Sequence, residues 1–135
     1  CSEMGGTMTS EIATLVDEIA SEPLDQYKNG HFNEAVRKSC ERFEHKIQEE
    51  TGESDFGASL MGKAFNKDHP LIKINDLESE NDISEQDGYQ KLAIGAMFAI
   101  RNMFSHGDED QRSPEEAYEM LLFMNWMFRK LDSNH

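Results

Sequence analysis

Little in this chain could hold it together other than side-chain packing. Its cysteines number two, Cys1 and Cys40, too few for a disulfide framework. Cys40 falls on an apolar helical stripe, where a free thiol acts as a small hydrophobe, so a reducing cytoplasm is the expected location. No apolar run reaches the roughly 18 residues of a membrane span. The first residues lack the basic and apolar regions of a signal peptide, so no membrane partner is expected. There is no Walker loop, no G-x-G-x-x-G and no Cys-x-x-Cys. Those absences remove the common signatures of phosphate-loop, dinucleotide and zinc or redox sites, and no cofactor or metal is expected. Positive charge is also scarce, with 13 Lys and Arg against 27 Asp and Glu, a net charge of −14. Nucleic-acid binders are usually basic, so strong affinity for long nucleic acid is not expected from this domain alone.

The acid is unevenly spread. Residues 1–30 hold six acids and one base, 53–83 hold seven and three, and 108–135 again seven and three. Residues 31–52 hold five acids and four bases, and 84–107 hold two of each. The ends and connections carry the acid, and two central stretches are near neutral.

What is present is helical periodicity. The length of 135 residues suits one domain with a single core. Residues 1–9 contain two adjacent glycines and no apolar period, so they are expected to be a disordered, dispensable segment or a remnant of processing. Residues 10–135 are expected to form an all-α antiparallel bundle of four to five helices. The first helix is expected over residues 10–28, with Ile12, Leu15, Val16 and Ile19 on one face and Pro23 bending or breaking it. Asn29-Gly30 ends it. The second is expected over residues 33–51, with Phe32, Val36, Cys40, Phe43 and Ile47 at helical spacing and Gly52 closing it. A short third helix is expected over residues 59–66. A polar connection follows, anchored by Leu71, Ile72, Ile74 and Leu77, with residues 71–75 read as briefly extended. The fourth helix is expected from about residue 84 to 105. Its middle is apolar nearly all round, which marks a central buried element. The fifth has the clearest start: Ser113 as cap, Pro114 at the first position and Glu116 completing a capping box. Ala117, Met120, Leu121, Met124, Met127, Phe128 and Leu131 then line one side.

Chemistry concentrates at the end of the fourth helix. Arg101-Asn102-Met103-Phe104-Ser105-His106, followed at once by Gly107, packs a guanidinium, a carboxamide, a hydroxyl and an imidazole into about one and a half turns. Arg holds a phosphate as a permanently charged planar fork, and His moves protons near neutral pH. On an ideal helix Arg101 and His106 lie roughly 140° apart, so one straight helix does not bring them together. Either His106 swings back from a C-terminal position made possible by Gly107, or a second subunit supplies its own copy. The plain alternative is an Arg paired to a carboxylate and a His capping helix carbonyls.

Other groupings read as structural. Lys38, Arg42 and Lys46 fall at i, i+4, i+8, a spacing able to track phosphates. They read better as a solvated face paired with Glu34, Glu41, Glu49 and Glu50. His45 with Glu41 and Glu49 has metal-ligand spacing, but one His and two exposed acids seldom make a site. Tyr118, Phe123, Trp126 and the methionines read as core or dimer interface.

The arrangement of Arg101 and His106 at the end of a late helix resembles the R-x4–6-H signature of the HEPN superfamily of small helical bundles, many of them ribonucleases. Gly30-His31-Phe32-Asn33-Glu34-Ala35-Val36, Gly57-Ala58-Ser59-Leu60-Met61-Gly62-Lys63-Ala64-Phe65, and Gly88-Tyr89-Gln90-Lys91-Leu92 with Gly95-Ala96 are similar to its Ymh-like branch. That branch is prokaryotic and associated with abortive infection. The similarity runs from about residue 24 to residue 132. The branch often has Pro after Arg-Asn, where this chain has Met103. The resemblance implies a metal-independent endoribonuclease acting as a toxin or antiphage effector. It implies a homodimer in which two such helices meet and pool their Arg and His. His106 would be general acid or base, Arg101 would stabilise phosphate charge, Asn102 would orient the imidazole or bind a phosphate oxygen, and Ser105 would assist. RNA would be the substrate, and a neutralising or regulatory protein a further partner. The alternative is a non-catalytic HEPN module that dimerises or binds a nucleotide or partner, as part of a longer defence protein. The acidity favours that alternative.

Overall fold

The computed structural model describes residues 15–100, 102, 104 and 111–132. Residues 1–9, and with them the expected leader segment, lie outside these. The described residues are helical with no strand, so the fold is an all-α bundle. Its elements are α1 (Asp17–Ala20), α2 (Glu22–Lys28), α3 (Phe32–Thr51), α4 (Gly57–Ala64), α5 (Glu80–Gly95), a π-helical turn (Ala96–Ile100) and α6 (Pro114–Asp132).

The first expected helix is two. Val16 is extended, and its N–H donates to Asn125 Oδ1 at 2.7 Å, so Leu15 and Val16 precede α1 rather than belong to it. Ser21 breaks the helix at φ −89°, ψ −114°, and Pro23 opens α2 near its first position. Proline is tolerated there because the missing N–H has no helical partner to lose. Gly30 (φ 85°) and Gly52 (φ 72°) take left-handed conformations after α2 and α3, which a side chain would disfavour. Val36, Cys40, Phe43 and Ile47 are fully buried along α3, as their spacing requires, and Phe32 packs partly buried beside them.

α4 starts two residues earlier than its apolar pattern suggests, because carboxylates cap it. Asp55 accepts from the Phe56 N–H and the Ser59 hydroxyl, and Glu44 of α3 accepts from the Gly57 N–H at 2.7 Å. The Ser59 hydroxyl, the Phe56 N–H and the Lys63 ammonium together bring the Asp55 carboxyl down to about 2. α5 also starts early. Ser79 caps it by accepting from the Asp82 N–H at 3.1 Å, a signal that precedes the first apolar repeat.

The connection between α4 and α5 forms no strand. Ile72 and Ile74 are buried, while Leu71 is exposed and Leu77 half-buried. A fully buried glutamine holds this connection. Gln86 Oε1 accepts from the Ile74 N–H at 2.9 Å, and Nε2 donates to the carbonyls of Ile72 (2.9 Å) and Phe65 (3.2 Å).

α6 begins as expected, with the Ser113 hydroxyl accepting from the Glu116 N–H. Six of the seven residues on its expected apolar side are buried, and Met120 is partly so. α3 and α6 run parallel. Asn33 meets Gln111 and Arg112 at their starts, Phe43 meets Phe128 edge-on at 5.3 Å, and Lys46 meets Asp132 near their ends. α5 runs opposite to α6, pairing Glu85 with Lys130 and Tyr89 with Met127. The C-terminal end of α5 therefore arrives where α3 and α6 begin.

Removing the Gln86 amide strands three backbone groups at once. Gln86→Ala is expected to cost about 3 kcal/mol and lower the melting temperature by roughly 10 °C. Thermal unfolding followed by circular dichroism checks this, and a shift of only a degree or two would refute the clasp.

Candidate functional site

α5 is not buried on all sides. Tyr89, Ala93, Ala96, Met97 and Ile100 face the core, but Leu92 is 43% exposed and Phe98 61% exposed. Gly88, Leu92, Gly95, Phe98, Ala99 and Asn102 all lie exposed at spacings of three or four residues. The expectation of a buried central helix is corrected on this point: among the described residues no element covers the second face. A Cβ at Gly88 or Gly95 would meet nothing within 4 Å, so another backbone can approach closely there. Leu122 and Trp126 of α6 are 41% and 43% exposed. Trp126 stands between the two helices, its ring 5.9 Å from Tyr89 and 6.3 Å from Phe123. Tyr118 packs on Tyr27 at 5.6 Å.

The π turn is the local departure that precedes the motif. Two adjacent residues, Ala96 and Met97, face inward, and two more, Phe98 and Ala99, face outward. Such pairs also occur in the regular helices, as Ala35-Val36 and Met127-Phe128 do, so the wide turn shows in the backbone and not in the burial pattern. Nothing in the sequence signals it. After it, Asn102 is helical and exposed, and Phe104 is fully buried with its N–H on the Ile100 carbonyl at 3.2 Å. Of the expected site residues, Asn102 is therefore on the exposed side of α5's continuation. Arg101, Ser105 and His106 lie outside the described residues.

The surroundings of the motif are well defined. The Arg112 guanidinium lies 5.8 Å from the Phe104 ring centroid. The starts of α3 and α6 stand at this end of the bundle, tied by the Asn33 contacts and by the Tyr27 hydroxyl donating to the Pro114 carbonyl at 3.1 Å. The N-terminal ends of two long helices present positive dipole ends here. Sequence reasoning missed Asn33, Gln111 and Arg112, because nothing in their spacing announces a contact across nearly 80 residues.

A second concavity is structural. A cleft of about 470 Å³ between the N-terminal helices and α3 is lined by Glu18, Glu22, Lys38, Glu41, Arg42, His45, Lys46 and Glu49. Its bases are paired as expected, Lys38 with the expected Glu41, and the remaining partners differ from those named. Lys38 lies 3.7 Å from Glu22 and 3.8 Å from Glu41. Arg42 reaches Glu22 and the Ser21 hydroxyl. Lys46 binds Glu18 at 2.9 Å and Asp132 at 3.0 Å. Glu34 instead pairs with Arg37, and Glu49 with His45 at 2.9 Å. The row thus fastens α1, α2 and the end of α6 onto α3. Among the described residues no group of three or more His, Cys, Asp or Glu could hold a metal ion, and no helix among them is long and apolar enough to cross a membrane.

A family profile described as "Protein of unknown function (Hypoth_ymh)" matches residues 13–131. The chain belongs to this family. No curated protein and no solved structure gives a significant match. The Hypoth_ymh match spans the described helices up to the next-to-last residue of α6, including the exposed face of α5, and the sequence motif that follows it.

Burial works against the charged Glu18, but the hydrogen bond and charge of Lys46 outweigh it and hold its pKa below the ordinary carboxylate value. The contribution of such a group is complete above its unfolded pKa and is lost as pH falls through the folded one. Lys46→Met is expected to destabilise by about 1 kcal/mol at neutral pH, and the gap should close in acid as Glu18 protonates. Urea unfolding at both pH values measures this; an equal gap at each would assign the loss to packing of the lysine stem.

Proposed function

We propose that this Hypoth_ymh domain is an endoribonuclease of the HEPN kind, working as a homodimer through α5. The observation that carries the reading is the apolar face of α5, exposed among the described residues, which with its small residues leads to Asn102, the neighbour of Arg101 in sequence. A two-fold arrangement of that face would bring two copies of the motif together. It would also answer the spacing problem, since Arg101 of one subunit need not share a helix face with its own His106. The positive ends of α3 and α6 beside the motif suit a phosphate.

RNA carries its own nucleophile. One imidazole, acting as base, takes the proton from the 2′-hydroxyl as that oxygen attacks the adjacent phosphorus. Arg101 neutralises the charge that builds on the phosphorane oxygens. The bond to the 5′-oxygen breaks, and that oxygen takes a proton from an imidazole acting as acid. The products are a 2′,3′-cyclic phosphate and a 5′-hydroxyl, with no net oxidation and no added co-reactant. Asn102 orients an imidazole or binds a phosphate oxygen, and Ser105 assists. The setting is cytoplasmic, as a toxin or antiphage effector with a neutralising or regulatory protein. The net charge of −14 favours a second reading, a non-catalytic dimerisation or nucleotide- or partner-binding module within a longer defence protein.

Arg101→Ala and His106→Ala are each expected to reduce RNA cleavage by about 10²–10⁴-fold while leaving the fold intact. Wild-type cleavage should survive EDTA. Incubation with structured and single-stranded RNA, with the ends mapped, tests this. A wild type that cuts no RNA, or mutants that cut equally well, would favour the binding module. Cleavage lost in EDTA would refute the metal-free mechanism.

Phe98→Glu places a charge on the proposed contact and is expected to yield a monomer with little cleavage. Analytical ultracentrifugation at micromolar concentration reads the outcome. A wild type that sediments only as monomer would remove the shared cleft.

A further inference from the structure

We infer that the outer stripe of α6 is a contact surface for a second copy of this chain, packed antiparallel. It does not rest on the ribonuclease reading. Between residues 115 and 131 the exposed positions of α6 are Glu115, Glu119, Leu122, Trp126 and Arg129, at spacings of four, three, four and three. Such spacing sets them on one side of the helix, opposite Leu121, Met124, Phe128 and Leu131 in the core. It is also the spacing of a seam between two packed helices. The stripe is apolar in its middle, at Leu122 and Trp126. An acid stands at one end and a base at the other.

The order of those groups says what covers them. Glu119 and Arg129 lie five positions either side of Met124, and Leu122 and Trp126 lie two either side. A two-fold axis level with Met124 therefore sets Glu119 against the partner's Arg129, and Leu122 against the partner's Trp126. Each contact occurs twice, as an isologous interface requires. A parallel copy would oppose like charges instead, Glu119 to the partner's Glu119 and Arg129 to the partner's Arg129. A uniformly basic partner would suit the net charge of −14, but Arg129 would repel it. That net charge also opposes the approach of two copies, and the two pairs of unlike charge act against it. One helix stripe buries less than a standard interface, so association is expected only at roughly 0.1 mM and above.

The test uses the full chain carrying Phe98→Glu, so that the contact proposed for α5 does not contribute. Trp126 is the single tryptophan, so its emission reports the α6 contact directly. Between about 10 µM and 1 mM, sedimentation is expected to show monomer passing to dimer while the emission moves to shorter wavelength. Added to that chain, Glu119→Arg and Arg129→Glu should each weaken association roughly tenfold, and both reversals together should restore it. Net charge alone predicts otherwise, because Glu119→Arg makes the chain less acidic and would strengthen association. Circular dichroism checks that each variant is folded. A chain that stays monomeric over the whole range would overturn the inference. So would a Glu119→Arg variant that associates as tightly or more tightly, or a double reversal no better than the single ones. If Arg129→Glu fails to fold, Glu119→Arg decides alone: weaker association supports the contact, and equal or tighter association overturns it.

Discussion

The parallel pairing of α3 and α6 is the constraint from which the rest follows. Its middle is apolar, with Phe43 edge-on to Phe128. Its two ends are polar and differ in kind. One end exchanges hydrogen bonds between Asn33, Gln111 and Arg112, and the other is an ion-pair cluster of Lys46 with Glu18 and Asp132. Parallel neighbours cannot be joined by a short turn, so the chain must travel back along the bundle between them. α5 makes that return, antiparallel to α6, and its end arrives beside two helix starts. The place of the motif is therefore a consequence of topology. Asn102 and Phe104 stand at the end of the bundle where helix dipoles favour an anion.

The same topology leaves α5 short of partners. α4 packs on one flank, with Gln90 donating to the Gly62 carbonyl and Phe65 edge-on to Tyr89. α6 supplies the other, where the Tyr89 hydroxyl donates to the Met127 carbonyl at 2.6 Å. A small bundle has a high ratio of surface to volume, and among the described residues no further helix closes the remaining face. Exposed apolar side chains scattered singly are ordinary. Leu92 and Phe98 are instead aligned on one helix with two glycines, next to Asn102. That alignment is what separates an interface from chance exposure.

Much of this was legible in the sequence where a single element decides the outcome. The stripe of Val36, Cys40, Phe43 and Ile47 buries as its period requires, and Ser113-Pro114 starts α6 where capping chemistry says. The misreadings arose where distant groups decide. The carboxylate of Glu44 starts α4 early, and the amide of Asn125 holds Val16 outside α1. Gln86 shapes a connection whose apolar residues alone suggested an extended run. The apolar run of α5 marked a buried element, but composition cannot say whether a second apolar face is covered by the same chain or by another. The contact of Asn33 with Gln111 was not legible either, because it joins residues nearly 80 positions apart.

Charge sets the terms on which such a domain could act on RNA. Arg37, Lys38, Arg42, Lys46, Lys63, Lys91, Arg112 and Lys130 all sit in ion pairs within the chain. A phosphate neutralised by any of these eight would have to be taken from an internal carboxylate, and each such exchange forfeits stability. Affinity through counterion release grows with the number of phosphates engaged, so under the ribonuclease reading that term is small and its salt dependence shallow. Catalysis does not require it. Rate depends on interactions stronger in the transition state than in the bound substrate. A few preorganised groups at one scissile phosphate meet that need, and the surrounding acid would repel any longer stretch of backbone. Under that reading the surface charge limits how much of the substrate is held, and the chemistry rests on a few groups at one phosphate.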